Sequence, residues 1–372
     1  MTLFCSQLRP HQLLAILRGE SLKALRVTWE LQEYALDKKI KKQISNHYGK
    51  IFLKRFYRSI SDVAKPKLSS YYKRKLKSEA KNRAEESSVK LFGRGLKSLL
   101  LTKPVEVQKS VLAVDPGFSN GCKCAIVNRT GEVLDTFVVN LRNSSQMKKT
   151  LSQKVEKFKV DKICVGDGCG NHEAEVIISD VVLETQNTTF CRIRESGASV
   201  YSCSEIGEKD LPGRSPAERG AITLARRIVN PLQEFVKVDP KSLGVGQYQH
   251  DLSPKQLDAE LDQILEEVVS YIGVDVNVAD EYLLARIAGL NKTRAKAIVE
   301  YRSKGLITDL NQLTKIKGLG PKSFKQCAGF LRVFPETARH KSKSLPDYYD
   351  ITNCSSQSLQ FHFDSPGSLP SC

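Results

Sequence analysis

No apolar run in the chain approaches the roughly 18 residues that a membrane-spanning helix needs, so no membrane partner is expected. The opening MTLFCSQLRPHQLLAIL breaks its apolar residues with Gln, Arg, Pro and His, which argues against a secretory signal. The ten cysteines form no CxxC pair. Cys122 and Cys124 lie two apart on an expected strand, sharing a face and standing too close for a zinc knuckle. Most cysteines read as small buried hydrophobes of a reducing compartment, and the protein as intracellular, nuclear or cytoplasmic. The six histidines form no cluster, and no Ser-His-Asp set can be assembled. His172 and Glu173 are not spaced as a metal pair, and GDGCGN lacks the Lys-Ser/Thr of a P-loop.

Acid is scarce in one region. Residues 1–110 hold 25 Lys and Arg against 9 Asp and Glu, which is +16 of a total of +17. That imbalance suggests a polyanionic partner such as nucleic acid, the alternative being a merely solvated basic segment. With 372 residues, 40% hydrophobic and 27% charged, the chain fits a soluble globular protein of two or three domains.

Residues 1 to about 105 read as mostly helical, with apolar or aromatic positions at Leu68, Tyr71, Tyr72, Leu76, Val89, Leu91 and Leu96. Basic clusters at 37–42 and 72–77 lie beside Tyr34, Tyr48, Tyr71 and Tyr72. Such an arrangement tracks a phosphate backbone or forms the outer face of an ordinary helix.

From Lys109 the pattern changes. SVLAVDPGF, KCAIVNRTG and EVLDTFVVNL are short apolar runs separated by turns and read as strands. A helix follows with Met147, Leu151, Val155 and Phe158 on one face, then strand DKICVGDGCG, helix HEAEVIISDVVLET, strand TTFCRIRESGAS and helix SPAERGAITLARRIVNPLQEFV. This order implies an antiparallel meander extended by parallel crossovers, a mixed α/β sheet. Paired-cation phosphodiester chemistry needs converging carboxylates. Asp115, Asp167 and Glu195 fall at strand ends, with Glu218 near the start of the last helix. Asp115, Asp167 and Glu195 are the candidate catalytic and metal residues; the alternative is that Asp115 and Asp167 cap their own turns.

Beyond KSLGVGQYQHDLSP a helix carries Leu257, Leu261, Ile264, Val268 and Ile272 on one stripe. Residues 251–282 hold nine acids and one base, whereas 283–332 hold eleven bases and two acids. The basic unit repeats: Ile287-Ala-Gly-Leu-Asn returns as Ile316-Lys-Gly-Leu-Gly, 29 residues on. Helix, glycine turn and basic helix start form the helix-hairpin-helix pattern, whose amides and lysines hold phosphate without reading sequence. The candidate nucleic-acid-binding residues are Gly289, Asn291, Lys292, Arg294, Lys317, Gly318, Gly320, Lys322 and Lys325, with Asn291 expected to share the glycines' positive φ. After Val333 the Ser- and Pro-rich text shows no period, which predicts a disordered tail.

VLAVDPGF, VGDGCGNHEAE, RESGASVYSCSEI, ERGAITLARRIVNPLQEFVKVDPKSLGVGQYQHD, IAGLNKTRAKAIVEYR and KGLGPKSFKQCAGFLR together resemble the Tex family, over about residues 109–333, with HQLLAILRGE similar to its helical region. Within the family the chain looks most like the metazoan RNA-binding-domain-containing members. The resemblance implies a multidomain α and α/β fold: a basic helical region over 1–108, a YqgF/RuvC-like ribonuclease H-like mixed sheet over 109–248, and an all-α helix-hairpin-helix domain over 251–333, ahead of the tail at 334–372. It also implies nucleic-acid (RNA or DNA) binding in transcription or RNA metabolism, with transcription or translation machinery as further partners. The similarity stops after Val333, before the OB-fold RNA-binding domain that normally follows. The family resembles a degenerate nuclease, usually with Asn where Asp167 stands, and neither 199–205 nor 214–220 supplies a clear third ligand. No cofactor is then required, Mg²⁺ or Mn²⁺ entering only if the alternative, a metal-dependent nuclease, holds.

Overall fold

A computed structural model describes residues 7–334 except 32, 118–119, 169, 186 and 247–248, so the predicted tail lies outside the described residues from 335 onward. Two compact units divide the chain: Met1–Arg94 with Gly246–Glu260, and Gly95–Val245 with Leu261–Cys372.

The N-terminal region is helical, as its composition predicts. α1 (Pro10–Ser21) starts with proline in its first turn, where a missing N–H costs nothing. α2 (Glu33–Leu100) is interrupted at Gly49, whose φ of 82° and ψ of 168° are not helical. The buried face differs from the expected stripe. Ala80, Ala84, Val89, Phe92, Leu96 and Leu100 are buried, while Tyr71, Leu76 and Leu91 are exposed. Small alanines mark the packed side, and bulk alone misleads.

The sheet has the order β3-β2-β1-β4-β5, formed by β1 (Ser110–Asp115), β2 (Cys122–Asn128), β3 (Val133–Val139), β4 (Val160–Gly166) and β5 (Thr189–Ile193). β1, β2 and β3 are antiparallel neighbours, and β4 and β5 join in parallel, giving the mixed sheet that the element order implies. Period-two alternation sends Leu112 and Val114 to one face and Val111 and Ala113 to the other. The first face packs on α3 (Ser144–Phe158) and α4 (Asn171–Glu184). Cys122 and Cys124 are buried on that same face as free thiols.

The opposite face carries α7 (Pro216–Val229), preceded by the short α5 (Ala198–Ser202) and α6 (Glu205–Asp210) and followed by α8 (Pro231–Val236). The sequence predicts one helix through 215–236; the structure has two. Pro231 has no amide to continue the ladder, and Asn230 caps the restart by accepting from Gln233.

α9 (Pro254–Ile272) buries Leu257, Leu261, Ile264, Val268 and Ile272, as its spacing requires. After it, β6 (Val274–Asp275) pairs in parallel with β7 (Leu331–Arg332), closing the C-terminal unit around α10 (Glu281–Leu284), α11 (Lys292–Lys304) and α12 (Pro321–Cys327). A buried charge group ties α10 to the sheet domain. The Lys237 ammonium, on a side chain only 1% exposed, lies 2.8 Å from Glu234, 2.9 Å from Asp210 and 3.3 Å from Asp280, whose other oxygen caps α10. Burial disfavours that ammonium, but Glu234, Asp280 and Asp210 outweigh it and hold Lys237 above the ordinary lysine range. Among the described residues no helix is long and apolar enough to cross a membrane.

Candidate nucleic-acid interface

The two hairpin turns have the same construction. Ile287 and Leu290 are buried in the first, Ile316 and Leu319 in the second. In each, the leucine amide donates to the isoleucine carbonyl, at 2.9 Å and 3.0 Å. Gly289 (φ 84°) and Gly318 (φ 90°) take the left-handed conformation that lets each chain reverse. The next helix opens equivalently: Ala295 donates to the Asn291 carbonyl at 2.8 Å and Phe324 to that of Gly320 at 2.9 Å.

Two of the expected positive φ angles are corrected. Asn291 does not share the positive φ of the glycines; it is extended (φ −135°) and caps α11, its side chain accepting from the Arg294 amide at 2.9 Å. Gly320 takes the same capping place before α12, also without a positive φ. Arg294 does not project freely. Its Nε donates to the Gly318 carbonyl at 3.0 Å and its Nη1 to the Gly289 carbonyl at 2.8 Å, so it bridges both turns. Lys292, Lys317, Lys322 and Lys325 are exposed and, among the described residues, have no acidic partner. The start of α11 leaves the Lys292 and Thr293 amides outside the helical ladder beside these lysines. A turn of this kind presents amides and ammonium groups together, and a phosphate diester fits both.

At the carboxyl ends of β1, β4 and β5 the structure places Asp115, Asp167 and Glu195 near one another. The Asp167 carboxylate accepts the Glu195 amide at 2.9 Å. The Glu195 side chain lies over Gly166 and Gly168, where any Cβ would overlap its carboxylate. Burial, then Asp115, push the Glu195 carboxyl up, and Oε1 is buried without a hydrogen-bond partner. Burial likewise raises Asp115, against Lys123. Glu218 is committed elsewhere. It closes the capping box of α7 and accepts from Ser215 and Thr136, which draw its carboxyl down to about 2.

Sequence reasoning did not pick out Arg227. It is 2% exposed, donates from Nη1 to the Arg194 carbonyl at 2.6 Å, and stacks 4.9 Å from the Phe235 ring centre. Burial lowers its guanidinium to about 10, opposed by Glu234, Asp167 and Glu195, so it remains charged at neutral pH. The signal available was a pair of arginines inside the apolar run ITLARRIV. Among the described residues no three His, Cys, Asp or Glu side chains group closely enough to hold a metal ion.

A mixed sheet of ribonuclease H-like type, followed by tandem helix-hairpin-helix turns, defines the class of protein. Residues 109–229 match the family model described as Tex protein YqgF-like domain, and residues 269–332 that of the helix-hairpin-helix motif. S1 RNA-binding domain-containing protein 1 of Homo sapiens is 40% identical over 338 residues, 87% of this chain and 34% of the relative. The transcriptional accessory protein Tex of Neisseria gonorrhoeae is 38% identical over 335 residues, covering 87% of this chain and 44% of its own. Protein YhgF of Escherichia coli is 38% identical over 272 residues, 72% and 35%. The resemblance to the Tex family thus holds over most of this chain, which spans between about a third and under half of the curated relatives it matches.

Proposed function

We infer that this chain binds nucleic acid, RNA or DNA, by its phosphate backbone and without reading sequence, in transcription or RNA metabolism inside the cell. The observation that carries this reading is the matched pair of turns at Gly289 and Gly318, flanked by Lys292, Lys317, Lys322 and Lys325 with no acidic partners among the described residues. The Arg294 bridge supports it by fixing the spacing of the two turns. The sheet domain acts as a platform, and the transcription or translation machinery is the class of protein that would dock on it. The relatives' names, one transcriptional and one RNA-binding, accord with this. No cofactor is needed for such binding. Titrating labelled duplex and single-stranded oligonucleotides of unrelated sequence against rising salt tests it. Affinity should fall steeply and equally for all sequences; a strong sequence preference contradicts it.

One feature favours the nuclease alternative: the unpartnered, buried Glu195 Oε1 close to Asp115 and Asp167. Under that reading Mg²⁺ or Mn²⁺ would be required. Incubation with branched and single-stranded substrates in Mn²⁺ decides. Cleavage lost in Asp115→Asn supports the nuclease; no cleavage of any substrate removes it.

A further inference from the structure

Across the break at Gly49 in α2, the basic N-terminal region exposes a row of rings that the hairpin reading leaves unused. His47, Tyr48, Phe52 and Phe56 follow one another with ring centres 6.2, 5.0 and 4.7 Å apart. Tyr48 is 65% and Phe56 43% exposed, with Phe52 half-buried between them. Exposed rings held in a row are the informative kind of surface residue, since isolated apolar side chains at a surface need no explanation.

The surrounding charge selects the occupant. Between Asp37 and Asp62 lie eight Lys and Arg and no acid. Arg55 stands beside the row, 5.9 Å from the Phe56 ring, while Lys50, Lys54 and Arg58 follow the far flank of the helix at four-residue spacing. Among the described residues none of these four has an acidic partner. An apolar protein segment would cover the rings but leave those cations unanswered. A duplex would answer the cations but keep its bases stacked away from the rings. A single strand satisfies both, because its bases expose flat faces and its phosphates are charged.

Resting on the reading of this chain as a nucleic-acid binder, we propose that the Tyr48–Phe56 row is a second binding site, specific for single-stranded nucleic acid. Neighbouring rings are too close to admit a base, which needs about 6.8 Å, twice the base rise of a strand. Bases therefore stack on the open faces of Tyr48 and Phe56, and Phe52 holds those two rings in register. Arg55 takes a phosphate, and Lys50, Lys54 and Arg58 on the far side of the helix add to the surrounding positive field.

The test compares the full chain with Tyr48→Leu/Phe56→Leu, which keeps the helix apolar and removes the stacking faces. The probes are an oligoadenylate of roughly 12 nucleotides, within the usual span of such sites, and a duplex of equal length. Oligoadenylate affinity should fall at least roughly tenfold with duplex affinity unchanged, as expected when base stacking is lost. Unchanged oligoadenylate affinity overturns the proposal, as does an equal loss for both probes, or a change confined to self-association. Circular dichroism of the double variant checks that helicity is kept; where it is not, Tyr48→Leu alone supplies the comparison. Lys292→Glu/Lys322→Glu separates the two sites. If it leaves duplex binding intact while the ring variant still weakens oligoadenylate, the hairpin reading fails and the ring site stands.

Discussion

The Arg294 guanidinium donates to the carbonyl of Gly318, 24 residues along the chain and in the other hairpin. With its second bond to Gly289 it converts two turns into one surface. Charge alone cannot do this. Arg294→Lys should therefore behave like Arg294→Ala: both lose the bridge, both destabilise by about 1–3 kcal/mol, and both weaken nucleic-acid binding. Denaturant unfolding with parallel binding titrations checks this. A lysine variant with full affinity would return Arg294 to the role of a simple phosphate contact.

The two positive-φ glycines differ in what surrounds them. A Cβ at Gly289 would lie 2.7 Å from Gln326 Cβ and 3.1 Å from the Ser323 carbonyl, whereas one at Gly318 meets nothing within 4 Å. Gly318→Ala should cost only the strain of the backbone, about 1–2 kcal/mol, and Gly289→Ala more. Asn291→Ala should cost about 1 kcal/mol through the lost cap, but Asn291→Gly only a few tenths, because Gly320 already serves in the equivalent place. Unfolding midpoints of the four variants give the ranking.

Lys237 faces three carboxylates, from Asp210, Glu234 and Asp280. Lys237→Met leaves them buried together and should cost about 3–5 kcal/mol. Its folded pKa is raised above the unfolded value, so its contribution is complete below the unfolded value and is lost as pH rises through the folded one. Alkaline unfolding should thus be far shallower in the variant than in the parent chain.

Asp115 runs the opposite way. A carboxyl whose folded pKa is raised makes the fold less stable as pH climbs from the unfolded value through the folded one. Asp115→Asn should therefore raise the melting temperature at neutral pH and leave it nearly unchanged in acid. Glu218, lowered to about 2, contributes stability above its unfolded value, and that contribution is lost as pH falls toward 2; Glu218→Gln should flatten that acid limb. Melting temperatures across pH for the two variants check both signs. A lower melting temperature for Asp115→Asn at neutral pH would mean that its carboxylate holds something in place.

The sheet was legible because short apolar runs such as SVLAVD and KCAIVN, bounded by turn residues, are a local property, and the element order then leaves few topologies. The isoleucine and leucine of each hairpin were legible through their 29-residue repeat. What stayed hidden depends on where a polar side chain finds its partner. Asn291 reads equally as a left-handed residue or a cap, and only the Arg294 amide decides between them. Arg294 itself looks like one more phosphate ligand until the Gly289 and Gly318 carbonyls are seen to occupy it. Arg227 and Lys237 look like surface charges in the sequence, and burial among residues distant in the chain makes them internal cations.

The most direct measurement is a salt titration of nucleic-acid affinity for Lys292→Glu/Lys317→Glu/Lys322→Glu beside the unmodified chain. Each lysine that grips a phosphate should remove about one unit from the slope of log affinity against log salt, with duplex binding lost uniformly across sequences. A slope and affinity equal to those of the unmodified chain would contradict the hairpin interface.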